Sequence, residues 1–192
     1  LLALLATRPG PAFAAPVGTN ATAESADPGA IVFKVHAVAD SDLAAATLNY
    51  KVLSPDGNVG GTLRADVSGR STDASATLQT NSSDRYIPVG TRFAYSWTIT
   101  DKNGGSVTTQ EQTFTFLDGR FPWQTKTEGA FTVYWYGANS ANADSALQAT
   151  SSSVRDNEAL LGVKLNYPIR VVVYRNTADA KAAQRQRAAS FE

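Results

Sequence analysis

Between Thr113 and Gly137, over the run TFTFLDGRFPWQTKTEGAFTVYWYG, the apolar periodicity of this 192-residue chain changes, and one uniform architecture cannot serve both sides of the change. Before it, apolar residues recur at every second position in short runs separated by Gly, Pro, Asn and Asp, the pattern of half-buried strands joined by turns. After it, strand and helix patterns take turns. The stretch reads as the joint between two units of different class, 29–118 and 129–192, with 119–128 as an interdomain linker.

In the first unit Ile31, Phe33, Val35 and Ala37 alternate with Val32, Lys34 and His36, which fits a strand with one buried face. A second strand is expected over Ala46–Leu53. Ser54–Asn58 follows as a turn in which Pro55 pre-sets φ and Gly57 accepts a positive one. Strands over Gly61–Val67 and Ala74–Gln79 lead to a corner at Tyr86-Ile87-Pro88-Val89-Gly90. Arg92–Thr100 then sends Phe93, Tyr95, Trp97 and Ile99 to one side, and Asp101–Gly105 closes a hairpin onto Val107–Leu117. About seven short strands at this spacing predict an all-β antiparallel sandwich of immunoglobulin-like type. The chain has no cysteine, so the likeness to antibody domains is architectural.

In the second unit Phe131–Tyr136 predicts a strand. Asn139–Leu161 predicts a helix with Ala143, Ala146, Leu147, Thr150, Val154 and Leu161 on its apolar stripe and Gly162 as its stop. Pro168–Tyr174 is a continuous apolar strand, and Asn176 or Thr177 caps a further helix over Ala178–Glu192. This β-α-β-α order is the start of an α/β or α+β domain.

The ends carry their own signals. Leu1–Ala6 is apolar, and Ala12-Phe13-Ala14 precedes Ala15-Pro16 as a small-x-small site, so 1–15 reads as the remnant of a secretory signal peptide and the chain as secreted or cell-surface. Residues 16–28 are rich in Ala, Thr, Ser and Asn and are expected to be a flexible linker. The opening on Leu1 and the uncapped run to Glu192 are read as the marks of a fragment. No window approaches the ~20 apolar residues of a membrane span. Seventeen basic and seventeen acidic residues cancel, which leaves no field to attract nucleic acid. The short cluster Lys181, Arg185, Arg187 is the densest run of one sign.

Few residues can carry chemistry. His36 is the only histidine, whereas a zinc hydrolase site takes two or three with a carboxylate, and a Ser-His-Asp triad would need the same ring without a G-x-S-x-G elbow. Asp101-Lys102-Asn103-Gly104 echoes a calcium loop, but lacks the distal glutamate and reads as a hairpin turn. Asp40-Ser41-Asp42 and Asp56-Gly57-Asn58 read as turns. Tyr134, Trp135 and Tyr136 alternate, so at least one of their faces is core. Phe121 and Trp123 are expected to wedge the two units together. Glu128 and Glu158 have no partner carboxylate at a glycosidase spacing. Asn20-Ala21-Thr22 and Asn81-Ser82-Ser83 match a glycosylation sequon by chance. No residue is assigned as catalytic, cofactor-binding or metal-binding.

One resemblance adds to this reading. Tyr86-Ile87-Pro88-Val89-Gly90-Thr91, Tyr95–Asp101 with Gly104 or Gly105, Thr113–Phe116 with Asp118-Gly119-Arg120-Phe121-Pro122-Trp123, and then Phe131–Gly137 and Ile169–Tyr174 resemble the N-terminal part of secreted bacterial proteins with a peptidase MA-like domain. Such proteins are similar to gluzincins, in which a helix bearing H-E-x-x-H binds zinc and supplies a general-base glutamate. The resemblance implies a zincin-like second domain, cut before that helix, in a parent metallopeptidase that takes zinc and a peptide or protein substrate. This chain contains no H-E-x-x-H, so the fragment itself is expected to be non-catalytic and metal-free. The alternative is a non-enzymatic secreted or surface interaction protein whose immunoglobulin-like module binds a partner.

Overall fold

The computed structural model describes residues 14–54, 59–82, 85–138 and 140–184. Its first unit is a sandwich built from β1 (Val17–Asp27), β2 (Ala30–Val38), β3 (Leu43–Val52), β4 (Gly60–Ala65), β5 (Ser71–Gln79), β6 (Arg92–Asp101), β7 (Ser106–Thr108) and β8 (Gln112–Thr115). One sheet has the order β1-β2-β5; the other runs β4-β3-β6-β7, with β8 also paired to β6. All pairs in both sheets are antiparallel. This is the immunoglobulin-like or fibronectin III-like arrangement that the alternating strands require.

The inner faces supply the core. Ile31, Phe33 and Val35 of β2 meet Phe93, Tyr95, Trp97 and Ile99 of β6, with Leu48, Leu78 and Phe116 among the other buried side chains. Phe33 meets the Tyr95 ring edge-on at 5.1 Å. Val107–Leu117 is two short strands and not one. The break is held because the Thr109 amide donates to the Trp97 carbonyl (2.8 Å) while its Oγ1 accepts from the Trp97 amide (2.9 Å).

The flexible linker expected over 16–28 is instead largely β1, paired along β2 from Val17↔Val38 to Asp27↔Ala30. Backbone bonds make that ladder, so it needs no large side chains. The register slips between Thr19 and Thr22, where Asn20 takes a φ of 53°. Gly18 permits the close packing there, since a Cβ on it would lie 2.5 Å from Ile99 Cδ1.

The second unit is a three-stranded sheet of order β11-β10-β9. β9 (Gln124–Glu128) runs antiparallel to β10 (Phe131–Trp135), which lies parallel to β11 (Ile169–Val173). Residues expected as the interdomain linker 119–128 thus include an edge strand of the second sheet. Helix α1 (Ser140–Leu161) makes the crossover and buries Ala143 and Leu147 against Val133 and Trp135, with Phe131, Val171 and Val173 alongside.

The expected stripe does not extend to the end of this helix: Leu160 and Leu161 are 80% and 66% exposed. The reason is length. A helix of 22 residues spans about 33 Å, and strands of five residues only about 17 Å, so the last turns overshoot the sheet. Gly162, at φ 66°, ends the helix as the sequence indicates. Helix α2 (Thr177–Ala183) is capped by Asn176, whose side chain accepts from the Asp179 amide at 2.9 Å. The expected continuation over 185–192 lies outside the described residues, as do 1–13 of the expected signal remnant.

Candidate functional site at the junction of the two units

Where the chain leaves the sandwich, Phe116 is locked to the corner: its amide donates to Thr91 O, and its carbonyl accepts from Gly90 N. Two residues on, the Asp118 side chain is fully buried. Its carboxylate accepts from the Arg120 amide (3.1 Å) and from Arg120 Nε and Nη2 (2.9 and 2.6 Å). The Tyr174 hydroxyl, just beyond β11, adds a fourth donor at 3.2 Å. An aspartate two residues before an arginine can take both the backbone and the side chain of that residue only if the chain turns tightly. Gly119 makes that turn, and a Cβ on it would lie 2.1 Å from the Ser25 carbonyl oxygen.

The charges follow this geometry. Hydrogen bonding to Asp118 raises the already high Arg120 guanidinium pKa. Burial, followed by the Asp118 charge and hydrogen bond, pushes the Tyr174 hydroxyl well above its ordinary range. Tyr174 therefore stays a neutral donor.

Aromatic rings close around this pair. Trp123 Nε1 donates to the Asp118 carbonyl (2.7 Å), and its ring meets those of Tyr136 and Tyr174 edge-on at 5.1 and 5.2 Å. Phe121 stacks on Tyr136 at 4.1 Å. The Tyr136 hydroxyl donates to Asp179 Oδ2 (2.5 Å) and accepts from the Arg175 amide (3.2 Å), and burial raises its pKa, with Asp179 adding to the effect. Phe121 and Trp123 thus bind the connecting segment to the ends of β10 and β11.

The sandwich touches the second unit at its corner as well. Asn81 Nδ2 donates to Gln184 O (3.2 Å) and the Tyr86 hydroxyl to Ala183 O (3.4 Å). Gly90, at φ 96°, brings its backbone against Val172: a Cβ there would lie 2.9 Å from the valine methyl. Between the corner and α2 lies a cleft of about 500 Å³, walled by Pro88 and Val89 on one side and by Val172, Arg175, Ala180 and Ala183 on the other.

The residues singled out in the sequence are scattered and mostly engaged elsewhere. His36 Nδ1 lies 2.6 Å from Asp73 Oδ1, its register partner on β5. Asp101 is a turn residue whose Oδ1 accepts from the Asn103 and Gly105 amides (2.9 and 2.8 Å), while Lys102 pairs with Asp42. Asp56, Gly57 and Asn58 lie outside the described residues. Glu128 pairs with Lys126. Trp135 is buried in the second core, whereas Tyr136 lies past the last residue of the strand and belongs to the junction, so the alternation expected from Tyr134 to Tyr136 breaks there. Asn20 sits in the β1 irregularity, and Asn81 uses its amide at the junction.

Glu158 closes the loop after α1, accepting from the Leu165 amide (2.7 Å) and from Lys164 (3.0 Å). The Leu165 bond, then Lys164, holds its carboxyl below the ordinary 4.5. A lowered folded value means that its contribution is complete above about 4.5 and is lost as the pH falls through the folded value. Amide exchange at Leu165 is expected to be slow at neutral pH and to quicken relative to the Val133 amide on acidification below 4.5. A constant ratio would refute that link.

Among the described residues no three His, Cys, Asp or Glu side chains come together in a way that could hold a metal ion. They do not fit a zinc centre. No described helix is long and apolar enough to cross a membrane. The roles of Asp118, Arg120, Tyr174 and Asp179 at the junction were not evident in the sequence. Its nearest signal was the compact Asp-Gly-Arg-Phe-Pro-Trp run, whose partners Tyr174 and Asp179 lie more than fifty residues away.

No family model and no curated protein matches the sequence. Among solved structures, the Br derivative of BhCBM56 is similar at 15% identity and a TM-score of 0.36, over 50% of this chain and 88% of that one. The third fibronectin III domain of human KIAA0343 protein is similar at 9% identity and a TM-score of 0.37, over 66% of this chain and the whole of that one.

Proposed function

We propose that this chain is the non-catalytic N-terminal region of an extracytoplasmic zinc metallopeptidase of peptidase MA-like type. In it, an accessory β-sandwich is fixed to the opening strands and helices of the α/β domain and holds that domain in one orientation. The observation that carries this reading is the state of β11. A parallel pair joined by a helical crossover belongs in larger sheets covered on both faces, yet among the described residues β11 pairs only with β10. Val171 and Val173 support it, because they pack beneath α1 on a strand whose outer edge has no strand partner among the described residues. The family assignment itself rests on the sequence resemblance.

Two results test this. The coding sequence downstream of Glu192 is expected to hold H-E-x-x-H within about a hundred residues, followed by a third glutamate ligand. Protein carrying that segment is expected to cleave unfolded casein and to stop when chelated, whereas residues 1–192 leave casein intact. A long reading frame without the motif would turn the reading to a non-enzymatic interaction protein. Chelator-sensitive cleavage by residues 1–192 would overturn the non-catalytic assignment.

A further inference from the structure

We infer that the cleft between the sandwich corner and α2 binds a carboxylate carried on an apolar body, as presented by the C-terminal residue of a peptide. The position is the first argument. The parallel strands β10 and β11 end side by side, and the chain leaves them to opposite sides: α1 packs over Val133, Trp135, Val171 and Val173, while α2 lines the cleft together with Val172. Successive residues of a strand face opposite sides of the sheet, so Val172 points away from α1. Ligands of open α/β sheets lie at such a divergence, outside the carboxyl ends of the strands. Here the gap between the strand ends is closed by the Tyr136 hydroxyl, bonded to the Arg175 amide and to Asp179. The open volume is displaced sideways, against the sandwich.

The lining is the second argument. Pro88, Val89, Val172, Ala180 and Ala183 give apolar patches in a lining that is otherwise polar, and among the described residues Arg175 is the one that brings charge to the wall. Its guanidinium is exposed and has no ion pair or side-chain hydrogen bond among the described residues, so it carries uncompensated charge beside apolar surface. The guanidinium fork matches a carboxylate with two parallel N–H donors. About 500 Å³ is in the range of sites that enclose small ligands. A terminal leucine or valine offers both halves of this complement, with a branched side chain for the apolar patches and a carboxylate for Arg175. The inference is independent of any peptidase activity, because it concerns binding alone.

The test is titration of the isotope-labelled chain 1–192 with N-acetyl-Ala-Ala-Ala-Leu as the free acid, as its C-terminal amide, and with isovalerate. The free acid is expected to move the amide signals of Val172, Arg175 and Ala180, and the C-terminal amide and isovalerate to bind at least tenfold more weakly. Arg175→Gln, an exposed change, is expected to weaken the free acid tenfold or more. Ala180→Phe, which fills the cleft and keeps the charge, is expected to abolish the shifts while the Phe33 and Trp97 signals of the sandwich stay in place. Equal binding of acid and amide, an unaffected Arg175→Gln, or no saturable shift would overturn the site. Isovalerate as tight as the peptide would overturn the peptide terminus as its occupant.

Discussion

Asp118→Ala is expected to cost about 3 kcal/mol, the scale for removing one member of a buried ion pair, and to uncouple the two units. The fully buried carboxylate gathers donors from its own turn and from Tyr174 at the end of β11. Without it the Tyr174 hydroxyl loses its acceptor. The Arg120 side chain is 35% exposed and recovers some hydration, which keeps the cost from the top of the range. Typical domains have only about 5–15 kcal/mol of stability, and a loss concentrated at a junction appears as lost cooperativity. Trp123 fluorescence and Trp97 amide exchange are expected to report one urea transition in the parent chain and two in Asp118→Ala. Asp118→Asn is expected to fall between them, since its carbonyl oxygen still accepts from the Arg120 amide. A single, unshifted transition in the alanine variant would show that the junction does not couple the units.

Trp97→Ala is expected to be the most damaging change in the sandwich, at about 3–5 kcal/mol. Trp97 lies mid-strand in β6, opposite Leu48, and is fully buried. Truncation would open a cavity at the centre of the larger sheet, where β3 and β6 pair along their whole length. Trp97→Phe is expected to cost under about 1.5 kcal/mol, because it keeps most of the packing and removes an indole N–H that has no acceptor among the described residues. Urea unfolding followed by circular dichroism measures both. A cost below 1 kcal/mol for alanine would remove Trp97 from the core.

What the sequence revealed followed side-chain size. Strand β6 was legible because Phe93, Tyr95, Trp97 and Ile99 are large and alternate, and the hydrophobic effect rewards that pattern directly. Strands β1 and β9 were misread as linkers because Thr, Ala, Ser and Gln leave no such trace. What places them is backbone pairing, to β2 and to β10. Helix α1 lies where its pattern indicates, but the apolar stripe read along it runs past the end of the sheet, since a helical pattern does not state how long the strands beneath it are. At the junction Phe121 and Trp123 announced themselves as aromatics on a connecting segment, and both are half-buried. Their partners Tyr136 and Tyr174 did not, because which strand ends meet is decided by the parallel pairing of β10 and β11, and no local pattern encodes that pairing.

The two margins of the small sheet differ in what they offer to other molecules. All five residues of β9 are exposed, and Lys126 at its centre is held by Glu128 and Asp144 at 3.0 and 2.8 Å. An incoming strand would have to displace a charged, hydrated row, which is how natural sheets keep foreign strands away. At the opposite margin β11 offers Val171, Val172 and Val173, a β-branched run with no charge between Arg170 and Arg175. Aggregation of residues 119–192 produced alone would therefore be templated from β11, and a lysine at Val172 would be the change that solubilises it.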